Sequence, residues 1–230
     1  MMPGSAYLGH LGPIPVYFHW TAILMLVLVW TGFSPQGLGT VILATVVLLI
    51  GILLHEMGHG MTARAFGARG ITITLWAFGG LCASQRDSDR PGREFLIVAA
   101  GPAVSFALCG IGWLGMEALH RDAVANAVGS WGETLRQLAV LTFWINLWMG
   151  AFNLLPIFPL DGGQLCYQGM RLLRVPHRTN LQLCLTMAVV GAFAYVGWRA
   201  YLADGQLTQG VIYAAVLMAF LLWEAWNYLR

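Results

Sequence analysis

The sequence contains no lysine; all 12 cationic side chains are arginine, against 10 acidic residues. Charged residues make up 10% of the chain, where an ordinary soluble domain carries about 25%. A folded chain of this size exposes a large surface, and so few charges cannot keep it wetted. A water-soluble globular protein is thereby excluded, and the outer surface must face an apolar medium. The net charge of +2 and the lack of a basic patch interleaved with aromatics exclude nucleic acid as a partner. Disorder is excluded as well, because its compositional mark is low hydrophobicity. The four cysteines, Cys82, Cys109, Cys166 and Cys184, form no C-x-x-C pair and lie in or beside apolar runs, as buried thiols acting as small hydrophobes do. No linker, long repeat or low-complexity tract interrupts the chain, so residues 1–230 read as one polytopic membrane domain. No basic stretch precedes the first apolar run and no A-x-A site follows it, so that run is expected to remain as a span.

What fills the sequence is hydrophobic residue, 58% of the chain, with a mean hydropathy of +0.70. A helix needs about 20 apolar residues to cross a bilayer. Six stretches qualify: 16–33, 40–61, 94–119, 135–155, 181–202 and 206–228. The expected fold class is an all-α integral membrane protein with about six transmembrane helices, surrounded by a lipid bilayer. Alternating sides from the N-terminus puts Arg64, Arg69, Arg86, Arg90, Arg93, Arg171, Arg174, Arg178 and Arg230 on one side. Arg121, Arg136 and Arg199 fall on the other. Arginine accumulates in cytoplasmic loops, so both termini are expected in the cytoplasm, with a cell inner membrane as host. After the second span, residues 70–75 (Gly-Ile-Thr-Ile-Thr-Leu) alternate in the manner of a strand, and Gly79-Gly80 suits a turn or bulge. A short membrane-associated β-hairpin or sheet is expected there, with the edge of strand 71–75 able to accept another extended chain.

The second span contains His55-Glu56-Met57-Gly58-His59. Histidines at i and i+4 share one face of a helix, so both imidazoles can reach one Zn²⁺. Glu56, beside the first of them, can take a proton from a water that the metal activates. A charge at the centre of a membrane helix costs about 2.5–3.5 kcal/mol on insertion scales, so a glutamate at that depth needs a function or a partner. A catalytic zinc site also wants a third protein ligand. Asp161 is the candidate, within Asn153-Leu154-Leu155-Pro156-Ile157-Phe158-Pro159-Leu160-Asp161-Gly162-Gly163. Pro156 and Pro159 break the fourth helix and let the backbone bend to present the carboxylate, while the two glycines allow close approach.

An H-E-x-x-H in one membrane helix and an N-x-x-P-x-x-P-L-D-G-G segment in a later one resemble the site-2 protease family, intramembrane zinc metalloproteases of peptidase family M50. Gly79-Gly80 and Ala100-Gly101-Pro102 extend the resemblance. It implies His55, His59 and Asp161 as zinc ligands, Glu56 as the catalytic glutamate, and Asn153 as a second catalytic group that holds substrate or stabilises the oxyanion. It also implies one Zn²⁺ per chain, a transmembrane protein as substrate, and a strand region that pairs with an unwound substrate segment. Many relatives carry an asparagine where this chain has Ser105, and many carry a PDZ domain or a CBS pair that these 230 residues do not hold. That leaves any regulatory membrane partner unidentified, and the chain resembles the compact six-helix group.

Two other functions use similar residues. A zinc or other divalent metal transporter also lines its path with intramembrane His, Glu and Asp. Transporters tend to show internal repeats, however, and no second H-x-x-x-H-like segment occurs. An inactive relative that only binds membrane proteins has no need of Glu56. The sequence therefore favours intramembrane proteolysis.

Overall fold

Two strands precede the first helix: β1 (Ser5–Leu11) and β2 (Ile14–His19). The computed structural model describes residues 4–77, 79–85, 90–120, 129–202, 204–206 and 208–229. Arg86, Arg121 and Arg230, part of the arginine asymmetry, lie outside the described residues. Val16–His19 was expected to open the first span but belongs to β2. Val16, Tyr17 and Phe18 are β-branched or aromatic and favour a pleated, half-buried backbone, with Ile14 and Val16 turned inward. The first helix, α1 (Ala22–Phe33), is accordingly 12 residues long and is followed by a 3-10 turn at Ser34–Gln36. Helix α2 (Leu38–Ala65) then runs for 28 residues.

The hairpin expected after α2 is present as β3 (Arg69–Trp76) and β4 (Gly79–Gln85). It is half of a four-stranded sheet in the order β1-β2-β3-β4, so the fold is mostly helical with a small sheet, and the expected hairpin is extended by two N-terminal strands. β2 and β3 are parallel, with Val16 opposite Ile73 and Phe18 opposite Leu75. Parallel neighbours need a crossover connection, which α1 and α2 supply. Two details differ from expectation. Gly79 and Gly80 lie in β4, opposite Trp76 and Leu75, rather than in the turn. Strand 71–75 offers no edge, because β2 and β4 flank it on both sides; the outer strands are β1 and β4.

Helix α3 (Pro91–Leu119) carries Pro102 in its interior, and α4 (Gly132–Asn153) follows a 3-10 turn at Gly129–Trp131. The remaining helices are α5 (Asp161–Leu172), α6 (His177–Leu202) and α7 (Gln209–Leu229). Helix α5 occupies part of a stretch read from sequence as a connection. Among the described residues, three helices are long and apolar enough to cross a membrane: α2, α3 and α6. α1 has 12 residues, and α4 carries Glu133, Arg136, Gln137 and Asn146 among its apolar residues. Outward-facing Leu24, Leu28, Ile42, Val46 and Ile50 on α1 and α2 suit apolar surroundings.

The chain divides into two compact units, Met1–Ser88 with Ala100–Gly150, and Asp89–Ala99 with Ala151–Arg230. In the first unit the sheet packs on α2: Ile14, Val16, Ile71 and Ile73 form a buried cluster against Leu53 and Met57. Gly60 admits that contact, since a Cβ there would come within 2.8 Å of Ile14 Cδ1 and 3.2 Å of Ile71 Cγ2. Gly58 does the same toward α3, where a Cβ would sit 2.7 Å from the Ala100 carbonyl oxygen. In the second unit, Ile157, Ala188, Ala192, Met218 and Leu221 form the core.

Backbone cannot yield as a flexible side chain does, and overpacking costs about 1–3 kcal/mol. Gly58→Ala is therefore expected to lower the unfolding midpoint of the detergent-solubilised protein. Gly110→Ala, where an added Cβ meets nothing within 4 Å, should leave the midpoint unchanged or raise it.

Candidate metal centre

His55, Glu56 and His59 fall two-thirds of the way along α2 and are 3%, 7% and 9% exposed. One helical turn separates the two histidines and stacks their rings on one face, with centroids 4.9 Å apart in an edge-to-face arrangement. Their Nε2 atoms approach to 3.2 Å. Two nitrogens each about 2.05 Å from a tetrahedral zinc stand roughly 3.3 Å apart, so this spacing fits a shared ion.

Helix α3 shapes the space at that pair. Gly101 faces it, and a Cβ at this position would collide with Nε2 of His59 and come within 2.8 Å of Nε2 of His55. The glycine thus lets the backbone of α3 come up against both imidazoles, where any side chain would collide with the His59 ring. The donor types and the Nε2–Nε2 spacing fit a zinc ion. On the other side of the His55 ring, Nδ1 lies 2.8 Å from Oγ of Ser105, which is fully buried. The close approach at Gly58 brings these α3 residues to the histidines.

Glu56 points to the sheet. A Cβ at Gly80 would fall 2.7 Å from both Cδ and Oε1 of Glu56, so the carboxylate lies against the backbone of edge strand β4. This explains why glycine stands within a strand, a position where it otherwise weakens the ladder.

In the second unit, α4 ends at Asn153, which is half-buried. The proline-containing stretch that follows is anchored by Ile157 and Phe158, both essentially without exposure. Gln164 donates from Nε2 to the Pro159 carbonyl at 2.9 Å. Asp161 opens α5 and is 8% exposed. Gly162 and Gly163 let that helix start directly on the preceding backbone: a Cβ at Gly162 would strike the Leu154 and Leu155 carbonyls, and one at Gly163 would sit 2.6 Å from the Phe158 nitrogen. The prolines thus follow the end of a helix and the glycines allow close approach, as the sequence suggested, though the close approach is that of a helix the sequence did not announce.

The remaining four histidines meet other groups: His10 the Tyr7 hydroxyl, His19 the Thr21 hydroxyl, His120 the Met116 carbonyl and His177 the Tyr167 hydroxyl. All four cysteines are free thiols, Cys109 and Cys184 buried and Cys82 and Cys166 partly so. Burial raises the Cys166 thiol above its ordinary pKa, which disfavours the reactive thiolate. Gly80, Gly101 and Ser105 are the neighbours of the centre that spacing alone did not assign. Gly101 and Ser105 are four residues apart on α3, a periodicity visible in the sequence only once their helix is known to face His55.

The family model of peptidase family M50 matches residues 43–195. The chain is 33% identical to Rip3 of Mycobacterium tuberculosis over 173 residues, which cover 69% of this chain and 42% of that protein. It is 34% identical over 154 residues to zinc metalloprotease MJ0392 of Methanocaldococcus jannaschii, covering 66% and 41% of the two chains. It thus spans less than half the length of these curated relatives. Among solved structures, a site-2 protease from Methanocaldococcus jannaschii superposes with a TM-score of 0.64 at 22% identity, covering 98% of this chain and 95% of that one. At that identity the likeness speaks for the fold. With a matched model running from α2 through α6 and over both the H-E-x-x-H and the D-G-G segments, the chain belongs to peptidase family M50.

Proposed function

We propose that this chain is an intramembrane zinc metalloprotease that hydrolyses peptide bonds within or near membrane-spanning segments of other proteins. In this reading the 230 residues act as one domain, cross a cell inner membrane six times and leave both termini in the cytoplasm. The observation that carries it is the pair of imidazole Nε2 atoms 3.2 Å apart, with Gly101 packed closely against the rings and Glu56 next to His55 in sequence. His55, His59 and Asp161, two imidazoles and a carboxylate that are all buried, would together hold one Zn²⁺. When bound, the ion supplies a Lewis acid that polarises the scissile carbonyl and makes water more acidic.

The chain's own residues do the rest. Glu56 accepts the proton of the attacking water and passes it to the leaving amine. Asn153 donates a hydrogen bond to the oxygen on which negative charge develops. A substrate helix hides its peptide bonds in its own hydrogen bonds and must unwind before attack. Pairing with the edge of β4 replaces those bonds and holds the segment extended. The position of Glu56 against Gly80 supports β4 as that edge, since a strand paired there arrives beside the carboxylate.

Glu56→Gln is expected to retain one zinc per chain by metal analysis and to cut a membrane-spanning substrate at least about 10²-fold more slowly; equal cleavage by variant and wild type overturns the proposal. Gly101→Ala is expected to lose bound zinc while the helical circular dichroism stays unchanged, because the added methyl collides with the His59 ring and displaces it from its partner.

A further inference from the structure

Both nitrogens of the His55 ring face defined groups. Nε2 borders Nε2 of His59 and faces Gly101, while Nδ1 lies 2.8 Å from Ser105 Oγ. Gly101 and Ser105 are one helical turn apart on α3, so a single face of that helix serves both sides of one imidazole. The chemistry of the ring couples the two sides. An imidazole that offers Nε2 to a metal must carry its proton on Nδ1, and the group that receives this proton selects the tautomer. His55 is 3% exposed and Ser105 0%, so water does not replace such an acceptor, and an unmet ring N–H at this depth is costly.

We propose that Ser105 is a positioning residue of the metal centre. Its hydroxyl oxygen accepts the Nδ1–H of His55, fixes the ring in the tautomer and orientation that aim Nε2 at the ion, and thereby raises zinc affinity. The proposal rests on His55 being a zinc ligand. Ser105 sits tightly, since a Cβ at Gly150 on α4 would be 3.3 Å from its own Cβ. Alanine removes the oxygen without adding volume.

The test uses the full chain in detergent, stripped of metal, with zinc titrated in competition with a chromogenic chelator. Loss of such an outer partner weakens metal binding by about 10–100-fold. Ser105→Ala is expected to show a loss of that size, with the melting midpoint of its metal-free form matching wild type. Affinity within twofold of wild type overturns the proposal. So does a loss of affinity accompanied by a lower metal-free midpoint, which assigns Ser105 to packing. Wild-type protein that binds no zinc overturns the metal-centre reading itself and this inference with it, whereas zinc-binding wild type with an indifferent variant overturns only the role of Ser105.

Discussion

An ionisable group held among apolar helices must be given partners by its neighbours, because leaving it unmet costs several kcal/mol. His55, Glu56 and His59 impose that demand on α2, and the surrounding elements of the first unit answer it. Ser105 reaches Nδ1 of His55, Gly101 lets α3 come up against the two imidazoles, and the backbone of β4 at Gly80 runs alongside Glu56. Helices in an apolar medium associate through close packing of small residues rather than through a hydrophobic drive. Gly58 against the Ala100 carbonyl is that packing, placed between the two histidines in sequence. One contact therefore joins α2 to α3 and supplies the polar neighbours.

The second unit treats its carboxylate in a comparable way. Asp161 stands at the start of α5, where the helix dipole favours a negative charge. Its location depends on hydrophobic anchors at Ile157 and Phe158, each in a different buried cluster. Glycines after the aspartate permit the helix to begin against its own lead-in. Apolar anchors on one side and small residues on the other thus determine where a single polar group sits.

Much of the centre was legible from residue types alone. The spacing of His55 and His59 specifies a shared helical face, and a glutamate between them in an apolar run has few other uses. Pro156 and Pro159 also announced the end of a helix before Asp161, whereas the helix that begins at Asp161 was not legible. The glycine contacts were not legible, because a glycine's value at Gly80 or Gly101 lies in what approaches it from a distant part of the chain. The two N-terminal strands were missed for a related reason. Val16, Tyr17 and Phe18 are as apolar as a membrane span, and composition cannot distinguish the two; pairing with β3 decides. That same pairing makes β3 an interior strand, which no local pattern could reveal.

The parallel register between β2 and β3 also bears on assembly. Val16 and Ile73 lie on either side of α1 and α2, so this part of the sheet closes a long loop containing the H-E-x-x-H segment. Loop closure at that separation is entropically slow and gains nothing until the helices between the strands are in place. During synthesis, the chain must emerge past β4 before Gly80 can meet Glu56. The setting of Glu56 is thus finished by the last strand of the sheet rather than by its own helix, and an unfinished chain holds the motif without that setting.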